Sequence, residues 1–329
     1  MVGQFPQSTA LTTLDQTRGA RERVRKLVIT TPVLRAAELE AVVGGPVWLK
    51  CENLQYTGSF KIRGAANFLA SLIEADQIPE GVVTYSSGNH GQALAAAAQH
   101  YGLAALVVAP ETVPALKLAR MRERGAEVVL CGTTSSERRK RAEAEAQARG
   151  YTIVPPFDHP EIIAGQSTAG LEIVEQRPDL RSILVPVGGG GLLAGVAAAA
   201  KALRPDCQII GVEPEGSAAM RSSLQAGTPV TLERTSSIAD GLLPLRPGDL
   251  TFAHARALVD EVVTVSDEAI VRATLWLFER ARLVVEPSGA AALAALLSKA
   301  VAPPTPVVAI LSGGNVALET LASLKSPPE

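Results

Sequence analysis

Short apolar runs alternate with amphipathic stretches along almost the whole chain, and that alternation limits the folds open to it. The runs are PVWLK (46–50), GVVTYS (81–86), AALVVA (104–109), AEVVLC (126–131), TIVPP (152–156), SILVPV (182–187), QIIGVE (208–213), EVVTV (261–265) and PVVAILS (306–312). Most are β-branched and apolar on both faces. A strand of that kind is covered on both sides, the condition of a parallel sheet flanked by helices. Between the runs lie helical patterns such as QALAAAAQHYG, SERRKRAEAEAQARG, LLAGVAAAAKALRP and DEAIVRATLWLFERARL. The alternation predicts α/β, doubly wound architecture. With 329 residues, 47% of them hydrophobic, the chain has room for two domains with sizeable cores.

Charge removes several function classes. A formal net charge of -2 leaves no electrostatic footprint for nucleic acid or an anionic membrane. The arginine-rich run at 122–141 is interleaved with glutamate and reads as a solvated helix face. Cys51, Cys131 and Cys207 are far apart and form no CxxC, which suits buried thiols in a reducing compartment. His90, His100, His159 and His254 show no metal-ligand spacing. The N-terminal MVGQFPQSTALTTLDQ lacks the cationic and apolar regions of a signal peptide. The Ala-rich runs are too short to span a bilayer. A cytoplasmic protein acting on a small molecule is expected.

Three loops following apolar runs offer chemistry. In VPVGGGGLLAG a strand ends at Val187, four glycines follow, and a helix opens near Leu192. Glycines let backbone N–H groups crowd around an anion, and the helix dipole adds to the attraction, so Gly188–Gly191 form a phosphate cup. The Lys-Ser/Thr of a P-loop is missing. The same residues fit a dinucleotide GxGxxA at Gly189, Gly191 and Ala194, with Glu213 ending the next strand, so an NAD-dependent oxidoreductase is a rival reading. In SSGNHGQALA, Ser86, Ser87, Asn89 and His90 with their amides make a second anion site sized for a carboxylate. In LSGGNVA a strand delivers Ser312 to a Gly-Gly turn at the strand end where α/β sheets bind ligands, and EPSGA offers Glu286 and Ser288 similarly.

The stretch TGSFKIRGA contains one lysine directly after an aromatic residue. Its plain reading is a helix start, with Gly58 breaking the preceding structure, Ser59 capping and Lys61 a solvated first-turn cation. A phosphate cup, a carboxylate cup and a singular lysine together point instead to pyridoxal 5'-phosphate (PLP) acting on an amino acid.

Taken in order, TGSFKIRGA, SSGNHGQA, PVGGGGLLAG, GVEPEG, IADGL, EPSGA and LSGGNV resemble the fold-type II PLP enzymes, in particular the threonine/serine dehydratase and serine racemase branch. The match runs from about ITTPV to LSGGNV. The resemblance implies a tryptophan synthase β-like fold of two doubly wound parallel-sheet domains. Residues 1–76 and 157–329 would form the large domain and 77–156 a small inserted one, with closure excluding water. It implies that Lys61 binds the cofactor as a Schiff base and serves as the Cα base. Phe60 would pack near the ring, Asn89 would meet the ring hydroxyl, and Gly188, Gly189, Gly190, Gly191 and the amide of Leu192 would hold the phosphate. Gly241 would leave room over the ring, Glu286 would join the cofactor set, and Ser312 would meet the pyridine nitrogen. Ser86, Ser87, Asn89 and His90 would take the substrate carboxylate. A neutral Ser312 makes the ring a weaker electron sink, which suits expulsion of a β-leaving group.

The implied reaction is elimination of water from L-threonine or L-serine. Ser87 stands where racemases carry a serine, so a serine racemase with side elimination is an alternative, as is a dehydratase of phenylserine or hydroxyaspartate. Ala219 replaces an expected aspartate of the racemase metal site, leaving Glu213 with at most a weak site, so no metal is expected. The chain ends soon after LSGGNV, so a regulatory domain is not expected. The family is usually dimeric or tetrameric. A non-catalytic amino-acid binder would have no use for a buried lysine.

Overall fold

The computed structural model describes residues 10–86, 88–113 and 115–325. Its strands are β1 (Val33–Arg35), β2 (Val47–Cys51), β3 (Gly81–Thr84), β4 (Ala104–Ala109), β5 (Glu127–Leu130), β6 (Thr152–Ile153), β7 (Ser182–Pro186), β8 (Gln208–Pro214), β9 (Glu261–Val265) and β10 (Val307–Leu311). They form a six-stranded sheet in the order β1-β2-β10-β7-β8-β9 and a four-stranded sheet in the order β5-β4-β3-β6. Every pairing is parallel except β1 with β2. The doubly apolar runs explain this: β7 and β10 are buried at every position, with helices on both faces. Each fully buried Val or Ile there contributes roughly 1.5–3 kcal/mol of burial free energy.

Two strands depart from the sequence expectation. β1 has no counterpart among the expected runs; three residues at a partly exposed antiparallel edge are too few to show a period. β6 covers only two residues of TIVPP, because Pro155 and Pro156 have no N–H to continue a ladder.

Parallel order brings the C-terminal ends of β2, β10 and β7 to one edge, since Leu311 pairs with Cys51 and β10 also pairs with β7. The loops carrying Lys61, Ser312 and the four glycines all leave from that edge. Behind it, helix Pro160–Gln176 packs against both Lys61–Glu74 and Gly191–Leu203. Both crossings are close. A Cβ at Gly165 would collide with the Arg63 carbonyl, and one at Gly195 would come within 2.6 Å of the Ser167 amide. The lysine helix and the glycine-loop helix therefore share one rigid support. No described helix is long and apolar enough to cross a membrane. The arginine-rich helix Ser135–Arg149 buries only Ala142 and Ala146 and pairs Arg139 with Glu143 and Arg141 with Glu145.

Candidate active site

The loops that carry Lys61 and Ser312 are stitched by their backbones to each other and to the EPSGA turn. The Phe60 amide donates to the Ser312 carbonyl at 3.1 Å, and the Gly314 amide donates to Gly58 at 2.8 Å. Ser59 and Gly313 form an isolated bridge, and the Glu286 amide donates to Gly313 at 3.1 Å. Residues from TGSFK, EPSGA and LSGGNV thus meet within one small volume. Ser59 is not the helix cap that the local sequence suggests. The cap position falls on Phe60, which makes no side-chain capping bond, and Ser59 Oγ is buried without a partner among the described residues.

Lys61 opens the helix Lys61–Glu74. It is not the solvated cation of the plain reading. Its Nζ donates to the Pro156 carbonyl at 2.7 Å and lies 5.2 Å from the centre of the Phe60 ring. The residue keeps one edge towards solvent, but protein surrounds the ammonium, and this desolvation pushes its pKa down to about 8.

The next residue after Pro156 covers the glycine loop. A Cβ on Gly189 would collide with the Phe157 ring, and one on Gly191 would come within 3.0 Å of Phe157 Cβ. Gly190 has φ +92°, a left-handed conformation that favours glycine. The loop's carbonyls are engaged: Thr251 Oγ1 donates to Gly189 at 2.7 Å, and the Ala194 amide donates to Gly190 at 2.8 Å. Among the described residues, the amides of Gly188, Gly189 and Gly190 meet no backbone or side-chain acceptor. Free amides at the start of helix Gly191–Leu203 make an anion cup. Asp158 holds Thr251 in place by accepting the amides of Asp249, Leu250 and Thr251 at 3.0–3.1 Å. Gly241 closes one side. Its carbonyl lies 3.1 Å from where a Cβ of Gly188 would stand, and its amide donates to Ser288 Oγ at 2.8 Å.

Asn89 starts helix Asn89–Tyr101, ahead of the run that begins at Gln92. Its Nδ2 donates to Glu286 Oε1 at 2.5 Å, and its Oδ1 accepts from Asn315 Nδ2 at 2.9 Å. Asn315 in turn accepts from Arg120 at 2.9 Å. Glu286 is buried, and its carboxyl is pushed up to about 7, first by loss of solvent and then by the nearby Asp240. Ser312 is buried at the end of β10. Ser86 is half-buried beyond β3, and Ser87 lies outside the described residues.

Two expected side chains are spent elsewhere. The His90 ring is buried with Nε2 against the Val154 carbonyl at 3.1 Å. Desolvation, and then the charge of Lys61, hold it neutral, down to about 3. Its side chain is therefore part of the support, and only its backbone amide remains for an anion. Glu213 accepts the amides of Met220 and Arg221 at 2.8 and 2.9 Å, which caps helix Ala219–Ala226. Burial pushes its carboxyl up to about 7, and a carboxyl that takes up a proton near neutral pH is a poor ligand for a hard cation.

Residues 24–313 match the family described as pyridoxal-phosphate dependent enzyme. The chain belongs to that family. An L-threonine ammonia-lyase of Thermotoga maritima is 42% identical over 92% of this chain and 76% of its own length. An L-threo-3-hydroxyaspartate ammonia-lyase of Pseudomonas is also 42% identical, over 93% of this chain and 96% of its own length. The structure of maize serine racemase superposes with a TM-score of 0.91 at 39% identity, covering 95% of this chain and 96% of that one. The fold is that of the fold-type II enzymes, and the cofactor is pyridoxal 5'-phosphate. The NAD reading of the glycine loop falls with this finding.

The residues present in this PLP enzyme fit the group. Three free amides at a helix start suit a phosphate dianion, and a lysine of lowered pKa suits Schiff-base formation. Among the described residues, no carboxylate pairs with Lys61 to hold its proton. Sequence reasoning missed Phe157, Asp158 and Thr251. PPFDHP carries a signal, an aromatic and an acid straight after a strand, but its partners lie on distant segments.

Proposed function

We propose that this enzyme eliminates water from a 3-hydroxy amino acid, with L-threonine and L-serine the leading substrates, and yields a 2-oxo acid and ammonia. The observation that carries the reading is the Lys61 amine, desolvated, held by the Pro156 carbonyl, paired with no carboxylate among the described residues and lowered to about 8. The amides of Gly188–Gly191 and Leu192 would hold the cofactor phosphate, Asn89 its ring hydroxyl and Ser312 its pyridine nitrogen. Phe60 and Gly241 would border the ring. Glu286, its carboxyl pushed up to about 7 by burial, accepts from Asn89 Nδ2 and keeps that side chain oriented. Ser86, Ser87, Asn89 and the His90 amide would bind the substrate carboxylate. The bound cofactor supplies the electron sink that makes the Cα proton acidic. Lys61, as a free amine, would take that proton as general base. The β-hydroxyl would leave as water with the proton carried by Lys61, and hydrolysis of the resulting enamine would give the 2-oxo acid and ammonia. Residues 77–156 would move as the small unit that excludes water, in a homodimer or homotetramer.

A second reading, serine racemisation with side elimination, is favoured by the serine at 87 and the likeness to the maize racemase. The test is to follow 2-oxo acid release and enantiomer formation from L-threonine, L-serine, D-serine and threo-3-hydroxyaspartate with the PLP-loaded protein. 2-Oxobutanoate from L-threonine supports the lyase. Accumulation of D-serine without oxo-acid release replaces it with the racemase.

A further inference from the structure

Two residues beyond Lys61, in the same helical turn, stands the largest fully buried side chain of the described protein, Arg63. Its guanidinium is saturated. Nε and Nη2 donate to the two oxygens of Glu52 at 2.7 and 2.8 Å. Nη1 and Nη2 donate to the two oxygens of Glu172 at 2.7 and 2.8 Å, and Nη1 also donates to Thr168 Oγ1 at 2.9 Å. Lys50, equally buried, adds a bond to Glu172 at 2.6 Å and one to the Thr31 carbonyl at 2.8 Å. Two cations and two anions thus share one buried site. Glu52 follows β2 and Glu172 sits on helix Pro160–Gln176, so the site joins three separate elements.

This arrangement stands where an ordinary helix start would have a cap. The Lys61 helix has none, because Phe60 makes no capping bond and Ser59 Oγ has no partner among the described residues. An uncapped first turn frays unless something else holds it. A planar fork gripped on two edges fixes both position and rotation, which a single ammonium does not. Buried ion clusters add little net stability over apolar packing, and their best-attested use is to specify one arrangement.

We propose that Arg63 is a positioning residue for the reaction: clamped by Glu52, Glu172 and Thr168, it sets the first turn of its helix and so the direction in which Lys61 presents its amine. The inference rests on the reading of Lys61 as the cofactor-bearing lysine. A lysine displaced by about 1 Å is expected to lose up to ~100-fold in rate.

The test compares wild type with Arg63→Lys, Thr168→Val and Thr168→Ser. A cavity of about 350 Å³ lined by Arg63, Thr168 and Glu172 opens beside the cluster, so the shorter side chain of R63K gains water rather than a void. Each apoprotein is titrated with PLP and reduced with borohydride, and labelled Lys61 is quantified by peptide mass spectrometry alongside thermal melting, kcat and KM. R63K is expected to need at least about tenfold more PLP for half-labelling and to lose at least about tenfold in kcat, with KM within about threefold. T168V is expected to shift labelling about threefold, and T168S, which keeps the hydroxyl, to match wild type. Lower melting temperatures with labelling and kcat within twofold of wild type in both R63K and T168V overturn the proposal. Should R63K fail to fold, an unshifted T168V overturns it alone. Wild-type label on a lysine other than Lys61 overturns the underlying reading of the site instead.

Discussion

Lys61 and Arg63 lie two residues apart on one helix, and both are drawn out of water, yet their charges meet opposite fates. Arg63 faces two carboxylates, and their attraction, with their hydrogen bonds, outweighs desolvation and raises its pKa above the ordinary arginine range. Glu52 is held below the usual carboxylate range for the same reason, chiefly through the Arg63 charge. Lys61 faces a carbonyl and a ring, and desolvation alone brings it down to about 8. Glu286 faces an amide, and burial carries it up to about 7. Burial is common to both regions; the partner decides. Paired charges fix geometry, while unpaired ones titrate where chemistry needs them. Lys50 marks the boundary: desolvation lowers its pKa although it sits among the paired charges, because the attraction of Glu52 and Glu172 is opposed by Arg63.

The strongest way to break this contrast is to remove its unpaired member. Lys61→Ala is expected to reduce turnover by on the order of 10³ or more and to abolish the visible band of the PLP-bound protein. Circular dichroism and melting checked in parallel should stay close to wild type. Residual turnover within tenfold would move the general base elsewhere.

On the paired side, Arg63→Met leaves Glu172 with Lys50 and Glu52 with the Thr31 hydroxyl as its hydrogen-bond partner. Stranding buried carboxylates costs about 3–5 kcal/mol, read as a lowered urea midpoint. An unchanged midpoint would mean that the carboxylates had simply taken up protons.

The pH dependence of Glu286 sharpens the comparison. Its folded pKa, about 7, lies above the ordinary 4.5, so the folded state binds the extra proton between those values. The stability tied to that proton is fully present below about pH 4.5 and is lost as pH rises to about 7. Glu286→Gln removes that loss. Its stability relative to wild type is expected to grow by roughly 2–3 kcal/mol from pH 4.5 to 7 and to stay flat above. Denaturant melts across that range measure it, and a difference that does not vary with pH would show Glu286 to be ionised throughout.

The smallest expected effect lies in the cup. Gly189→Ala sets a methyl against the Phe157 ring and should weaken PLP binding about tenfold, with Lys61 reactivity towards a small aldehyde unchanged. Equal binding would mean that Phe157 swings aside freely.

Much of this was legible in the chain. Doubly apolar runs such as SILVPV and PVVAILS can be stable only when covered on both faces, so the parallel sheets follow from composition at the scale of five residues. The four glycines after Val187 point to open amides, because no other residue type crowds them so little. The edge strand β1 was not legible, being too short for a period. Ser59 misled, because its local sequence suits a cap while its tertiary place is a bridge to Gly313. The place of the His90 ring was not legible either, because the Val154 carbonyl that fixes it is 64 positions away.

The sequence by itself determined the strand and helix periods, the glycine loop and the lysine in its aromatic setting, because these depend on neighbours within a few residues. Only the tertiary structure decided which charges are paired. Arg63 finds Glu172 across 109 positions, and Asn89 finds Glu286 across 197. Lys61 meets Pro156 across 95 positions, through a carbonyl that no local pattern could announce. A pKa is set by everything within a few ångströms, and in a parallel sheet of crossover connections those neighbours come from remote parts of the chain.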